Sequence, residues 1–220
     1  MMPDRPILFS APMVRAILEG RKTQTRRIVK PQPTQDEFGF WSNDDIHHSG
    51  SVELWVENVP LREKAYAHVG DRLWVRETCQ AEELDDNCEH PGLDGVRYAA
   101  DGHFRPIENS IEASEQWSAL RHYGGAPSLP GSGLWRKVPS IHMPRWASRI
   151  TLEVVGVRVE RLQDISEADA TAEGTPHSLH LAAGRTAIGN YEHLWECING
   201  DGSWNVNPWV WCITFLRVTC

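Results

Sequence analysis

A short cationic segment near the start of the chain holds the residues best suited to acid–base chemistry. Lys22 lies in the run Arg21-Lys22-Thr23-Gln24-Thr25-Arg26-Arg27, and like charges lower the pKa of an amine toward the range in which it acts as a base. Thr25 is the hydroxyl whose type and spacing fit a nucleophile, and Thr23 is a second hydroxyl nearby. Because strand side chains alternate, Lys22 and Thr25 share a face only if a turn or bulge intervenes. The alternative interpretation of Lys22 is a solvated lysine on a strand edge.

Glu173 is a second acid–base candidate, at the end of a predicted helix. Ser166 is a good N-cap for this helix, Asp169 follows three residues later as in a capping box, and Gly174 is a stop signal. The negative end of the helix dipole disfavours a charged Glu173, so that its carboxyl can hold a proton to donate. The alternative is an ordinary surface glutamate.

Regular elements that could position these residues follow from hydrophobic periodicity and turn signals. Ser10 as N-cap, Pro12 in the first turn and Gly20 as a stop predict a helix over Ala11–Glu19, which would present Lys22 on a fixed turn. The same signals predict six further elements, namely strands over Arg5–Phe9, Asp71–Thr78, Arg149–Leu162 and Pro208–Val218, and helices over Ser166–Gly174 and Thr186–Asn199.

Two segments interrupt this pattern. Residues 31–66 mix Pro, Asp, Asn, Gly and Ser with strand-like pieces such as Ser51–Val56, which predicts a hairpin-bearing insertion. Residues 79–138 lack periodicity and predict a long irregular insertion, typical of lids, binding loops or disorder. We interpret the chain as a single domain over residues 1–220 that carries both insertions.

Composition narrows the classes of partner. The chain has 220 residues and a formal net charge of −8, so there is no global electrostatic case for binding long nucleic acid. The local cationic run suits a small anionic or nucleotide-like ligand. No segment resembles a signal peptide, and no run approaches the roughly 20 apolar residues of a membrane span. We therefore expect a cytoplasmic protein with no membrane partner.

The cysteines indicate neither a disulfide framework nor a metal site. There are five of them, an odd and scattered set, which is typical of reduced thiols. Cys79, Cys88 and His90, with His47 and His48 in the earlier segment, match no zinc-ligand spacing. Because nucleotide-binding and metalloprotease motifs are also absent from the sequence, we expect no metal and no other cofactor.

Four segments, in order along the chain, resemble the ASCH domain, a member of the PUA-like β-barrel group. The spacing Gly20-x-Lys22-x-x-x-x-Arg27 matches its GxKxxxxR signature, and three later segments resemble its central strand, its long following strand and the next helix, namely Gly70–Glu77, Ile150–Leu162 and Ile165–Gly174. The opening PILFSAPMVRAILEGRKTQTRR and the NPWVW tail resemble the larger members encoded by phages and prophages. The resemblance implies an α+β fold, a PUA-like mixed β-barrel with flanking short helices and two long insertions.

The resemblance also implies a function. Some family members are N(4)-acetylcytidine amidohydrolases, in which the lysine and threonine of the signature act with a glutamate of the helix; the corresponding catalytic residues here are Lys22, Thr25 and Glu173. This implies a metal-independent hydrolase that removes an acyl group from the exocyclic amine of cytidine-type nucleosides. The expected substrate-binding residues are Arg26, Arg27 and Glu77.

Two alternatives use the same basic site. One is a non-catalytic module that recognises RNA or a modified base, as PUA-like domains often do, and the other is a ribonuclease. In all three cases the partner is a modified cytidine nucleoside or an RNA base. The known small amidohydrolases are shorter than this chain, so the two insertions can change substrate choice. The sequence does not specify the acyl group, the sugar or the oligomeric state.

Overall fold

The structure, a computed structural model, describes residues 4–35, 41–43, 46–48, 66–82, 95–106, 134–175 and 186–218. Its α-helices are α1 (Ala11–Leu18), α2 (Glu167–Ala172) and α3 (Ala187–Asn199). Its strands are β1 (Arg5–Leu8), β2 (Gln24–Ile28), β3 (Thr34–Gln35), β4 (Trp41–Asn43), β5 (Ile46–His48), β6 (Arg72–Arg76), β7 (Cys79–Glu82), β8 (Gly95–Tyr98), β9 (Phe104–Pro106), β10 (Leu134–Val138), β11 (Thr151–Arg161) and β12 (Trp209–Val218). The fold is therefore of the mixed α+β class.

The chain divides into two compact units. Unit 1 comprises Met1–Met2, Glu19–Asp71 and Glu153–Arg217, and unit 2 comprises Pro3–Leu18, Arg72–Leu152 and Val218–Cys220. None of the described helices has the length and apolarity of a membrane-spanning segment.

Unit 1 contains a sheet in which β11, β12 and β2 lie side by side in that order. β12 and β2 are antiparallel, and Cys212 lies opposite Arg26. Strands β3, β4 and β5 form a separate antiparallel sheet. The apolar core of this unit lies under α2 and α3, and its buried members are Leu162, Ile165, Ala170, Tyr191, Trp195, Trp204 and Val210.

Unit 2 contains a parallel pair and an antiparallel sheet. β1 pairs with β6 in parallel, with Arg5 opposite Leu73. Strands β10, β7, β8 and β9 form a four-stranded sheet in that order, with antiparallel neighbours. Its core members are Cys79, Ala81, Val96, Tyr98, Val138, Met143 and Ala147.

Local signals in the sequence explain where the helices begin and end. The Ser166 hydroxyl accepts a hydrogen bond from the Asp169 amide at 3.1 Å, and the Thr186 hydroxyl caps α3 in the same way. Gly20 has φ +74° and Gly174 has φ +79°, a left-handed conformation that favours glycine and ends a helix. The bounds of all seven predicted elements agree with the structure to within two residues.

The prediction for residues 79–138 is wrong in the described part of that segment. Instead of an irregular insertion, it contains β7 to β10, with Cys79, Tyr98 and Val138 fully buried. Each of these strands has only three to five residues, which is too short for alternation to stand out from the intervening glycines and prolines. Residues 83–94 and 107–133 lie outside the described residues.

Residues 31–66 contain the predicted hairpin, formed by β4 and β5. The strand-like piece Ser51–Val56 lies outside the described residues. Within the described strands no sheet closes on itself as a barrel. The structure therefore confirms the α+β class, and the PUA-like barrel stays a prediction.

Candidate functional site

Lys22 and Glu173 meet inside unit 1. Their backbones form an isolated antiparallel bridge, and the Thr23 amide donates to the Ala172 carbonyl at 2.8 Å, so the last turn of α2 is held against the start of β2. The Lys22 ammonium nitrogen Nζ lies 2.7 Å from Oε2 of Glu173. It also donates to the backbone carbonyls of Gln24 at 2.8 Å and Glu173 at 2.9 Å. The pair is buried, with side-chain exposures of 0% and 2%.

Burial lowers the pKa of Lys22, because an ammonium group loses its hydration inside the fold. The negative charge and hydrogen bond of Glu173 oppose this effect, and the positive charges of Arg27 and Arg26 add to it. The direction agrees with the sequence argument, although burial rather than the like charges is the largest cause. At 2.7 Å a proton can pass directly between Lys22 and Glu173.

Arg26 binds the other oxygen of Glu173. Its side chain is fully buried, and Nη1 lies 3.2 Å from Oε1 of Glu173. Nε and Nη2 donate to Oε1 of Glu160 at 2.9 and 2.6 Å, and Nη2 lies 3.5 Å from Asp169. The guanidinium group also lies 5.8 Å from the centre of the buried Tyr191 ring. Arg26, predicted to bind substrate, is thus placed where it orients Glu173.

An outer group of charges continues from Arg26 toward the surface. Arg158 donates to Oε2 of Glu160 at 2.9 Å and to Asp169 at 2.8 Å, and its side chain is 43% exposed. We call the following six residues the charged cluster: Lys22, Glu173, Arg26, Glu160, Asp169 and Arg158. The cluster contains three cations and three carboxylates, so its charges balance.

Sequence reasoning missed Arg158 and Glu160 as members of this site. Both lie on β11 two residues apart, alternating with Val157 and Val159. This alternation of charged and apolar residues was the available signal, because it places two charges on one face of the strand. Sequence alone does not say which element faces them.

Thr25 is buried, with 2% of its surface exposed, but on the other face of β2. It lies opposite Ile213, whereas Arg26 lies opposite Cys212. Side chains directly opposite each other share a face of the sheet, and neighbours along a strand alternate. Since Arg26 reaches Glu173, Thr25 points away from that carboxylate. The structure brings Lys22 and Glu173 together and leaves Thr25 apart from them.

The two remaining candidates occupy different positions. Arg27 is half-buried, donates to the Arg26 carbonyl at 3.4 Å and lies close enough to Lys22 to lower its pKa. Glu77 belongs to unit 2, where its carboxylate accepts hydrogen bonds from Arg149 at 2.8 and 3.0 Å. Burial raises the pKa of Glu77, and Arg149 opposes the rise. Glu77 therefore forms a partly buried ion pair with Arg149 within unit 2.

The described residues contain no group of three or more His, Cys, Asp or Glu side chains placed to hold a metal ion. Of the residues considered for a metal in the sequence, Cys88 and His90 lie outside the described part of the chain. Cys79 is buried in the core of unit 2.

Comparisons of the chain with protein-family models, curated proteins and solved structures find no match. The resemblance to the ASCH domain therefore rests on its four segments in the sequence alone.

Proposed function

We propose that this chain is a metal-independent amidohydrolase that removes an acyl group from the exocyclic amine of a cytidine-type nucleoside such as N(4)-acetylcytidine. The observation that carries the proposal is the Lys22–Glu173 contact, which joins a base and an acid 151 residues apart in sequence at 2.7 Å. The ASCH resemblance supplies the substrate class, and a PUA-like β-barrel is the architecture we propose with it.

Amide hydrolysis requires a base to activate the nucleophile and an acid to protonate the leaving amine, because a free amide anion is a very poor leaving group. The buried pair supplies both roles when Lys22 is an amine and Glu173 is a carboxylic acid. Lys22 takes a proton from the nucleophile, whose oxygen attacks the acyl carbon. As the C–N bond breaks, Glu173 gives its proton to the exocyclic nitrogen.

The pair also restores itself. After one turnover Lys22 is an ammonium and Glu173 a carboxylate, and the proton returns from Nζ to Oε2 across the 2.7 Å hydrogen bond. Arg26 keeps Oε1 of Glu173 engaged, so that Oε2 is the oxygen that exchanges the proton. Arg27 supplies positive charge for the oxyanion that forms on the acyl group.

Water is the nucleophile that this geometry favours. The family resemblance assigns that role to Thr25, but Thr25 lies opposite Ile213 on the other face of β2. A water molecule activated by Lys22 would give the free acid directly, with no acyl-enzyme intermediate. Activity that does not depend on the Thr25 hydroxyl distinguishes this route from a covalent one.

A second candidate is the non-catalytic module that binds RNA or a modified base. One observation favours it: the Lys22 ammonium donates to three oxygen atoms and is fully buried, so the pair also fastens α2 to β2. A fastening role requires the charges but no turnover.

Purified protein incubated with N(4)-acetylcytidine and followed by liquid chromatography tests the proposal. Lys22→Arg and Glu173→Gln should each lower kcat/KM by about a hundredfold or more, the scale of a lost general base or acid. Thr25→Val should stay within about tenfold of the wild type, because the water route does not use the Thr25 hydroxyl as a nucleophile. The exposed residues Lys30 and Glu153 provide matched controls as Lys30→Arg and Glu153→Gln.

Each outcome bears on one claim, provided that circular dichroism shows every variant to be folded. Full activity in Lys22→Arg would exclude the base role of Lys22. An inactive Thr25→Val would exclude the water route and support Thr25 as the nucleophile. A wild-type protein that binds acylated cytidines and hydrolyses none of them would overturn the enzyme in favour of the binding module.

A further inference from the structure

His193 and Cys197 lie one turn apart on the exposed side of α3. The Cys197 sulfur Sγ is 3.8 Å from Nε2 of His193, and both residues are exposed. A tetrahedral zinc ion with a Zn–S distance of about 2.3 Å and a Zn–N distance of about 2.0–2.1 Å holds its sulfur and nitrogen about 3.6 Å apart. The two side chains are therefore already spaced as ligands of one ion.

The helix that carries this pair is held at both ends and along its inner face. Thr186 caps its N-terminus, and the Gly200 amide donates to the Glu196 carbonyl at its C-terminus. Tyr191 and Trp195 anchor the opposite face in the core of unit 1. Because the backbone is fixed, binding an ion orders only two side chains, which keeps the entropic cost small.

We propose that His193 Nε2 and Cys197 Sγ chelate one borderline-soft divalent cation such as zinc, with water completing its coordination. A thiolate and an imidazole select zinc over magnesium or calcium, which prefer oxygen ligands. The Cys197 thiol releases its proton to solvent as the S–Zn bond forms, so affinity should rise with pH. This site is independent of the function proposed for the charged cluster.

Cobalt(II) titration tests the site, because a thiolate ligand gives cobalt a charge-transfer absorption. The wild type should show this absorption, and zinc should displace the cobalt. Cys197→Ser should lose the absorption, and His193→Gln should bind roughly tenfold or more weakly, since even an outer partner of a metal ligand contributes roughly 10–100-fold. His103→Gln is the matched control, because His103 is exposed and lies in unit 2 beside Tyr98.

A second measurement uses the unaltered chain. Zinc should protect Cys197 from alkylation by iodoacetamide, read by mass spectrometry of the peptide that contains it. Unchanged cobalt absorption in Cys197→Ser, or alkylation of Cys197 at the same rate with and without zinc, would overturn the proposal.

Discussion

Lys22 is fully buried beside a carboxylate that it shares with Arg26, and this environment is costly. Removing two charges from water costs several kcal/mol per ion, and apolar residues of similar volume often serve stability as well or better. A buried ion pair is therefore weak evidence for a stabilising role. A lysine that must gain and lose a proton has a reason to be there, because burial brings its pKa down even though the charge and hydrogen bond of Glu173 oppose that shift.

The lowered pKa of Lys22 predicts how stability depends on pH. Burial puts the pKa of the folded state below the 10.5 of an ordinary lysine. Between these two values the unfolded chain binds more protons than the folded one, so the free energy of unfolding rises with pH. Below the folded-state pKa, Lys22 contributes no slope. Relative to Lys22→Met, the wild type should gain stability as pH rises toward about 10.5, measured by urea unfolding.

Two controls make this result interpretable. Lys22→Met/Glu173→Gln removes the carboxylate that the single variant leaves without its lysine, and Lys30→Met replaces an exposed lysine. The free energy of unfolding of the wild type, relative to that of the double variant, should rise with pH in the same way. The free energy of unfolding of Lys30→Met should show the same pH dependence as that of the wild type. If the stability of the wild type relative to Lys22→Met instead falls as pH rises, the pKa of Lys22 is raised in the folded protein.

Burial makes two of the three described cysteines less reactive than the third. It raises the pKa of Cys79 and of Cys212 to about 12, from 9.0 for an ordinary thiol, and a shift of three units leaves about a thousandfold less thiolate. Cys197 is exposed. Among these three described cysteines, iodoacetamide in metal-free buffer should modify Cys197 first, and Cys79 and Cys212 only on unfolding. Peptide mass spectrometry measures the order, and early modification of Cys212 would contradict its buried position beside Gln24.

At the scale of elements, boundaries that depend on local chemistry can be predicted from the sequence. Ser166 and Thr186 cap their helices, and Gly20 and Gly174 end theirs, because each signal acts within a few residues. Strands β7 to β10 cannot be predicted in this way, since each is short and its partner lies far along the chain. Their stability comes from cross-strand packing around Tyr98 and Val138, which no local pattern reports.

The sequence likewise predicts some parts of the candidate site and not others. The resemblance predicts Lys22 and Glu173 as partners, and the structure brings them together. It also groups Thr25 with them, but strand alternation and the register with Ile213 put Thr25 on the other face. The contacts of Arg158 with Glu160 and Asp169 depend on how β11 packs near α2, so sequence alone does not predict them.

Gly20 provides a test of element boundaries. Its φ of +74° is a conformation that an alanine adopts only with strain, although its Cβ would meet nothing within 4 Å. Gly20→Ala should therefore lower the free energy of unfolding by about 1 kcal/mol. Gly156→Ala is the matched control, because its Cβ would make an ordinary 3.5 Å contact with Thr214. Equal effects of the two substitutions in urea unfolding would show that backbone strain at Gly20 is not the cause.

At the scale of the whole molecule, net charge favours one substrate form over another. The chain carries a formal charge of −8, while the charged cluster is neutral as a set, with three cations and three carboxylates. A polynucleotide is therefore repelled by the net charge of the protein, and the charged cluster itself offers it no excess of positive charge. A neutral nucleoside is not repelled by the negative net charge of the protein, because net charge acts at long range only on a charged ligand.

Salt dependence should consequently separate an acylated nucleoside from the same base within RNA. The kcat/KM for N(4)-acetylcytidine should not change with ionic strength. For a short RNA containing one N(4)-acetylcytidine it should be lower in dilute buffer and should rise with salt, as the screening length falls from about 30 Å at 0.01 M to about 10 Å at 0.1 M. A protein built to bind RNA through phosphates behaves in the opposite way, since salt weakens its contacts. RNA turnover or binding that is strongest in dilute buffer would favour the RNA-binding module.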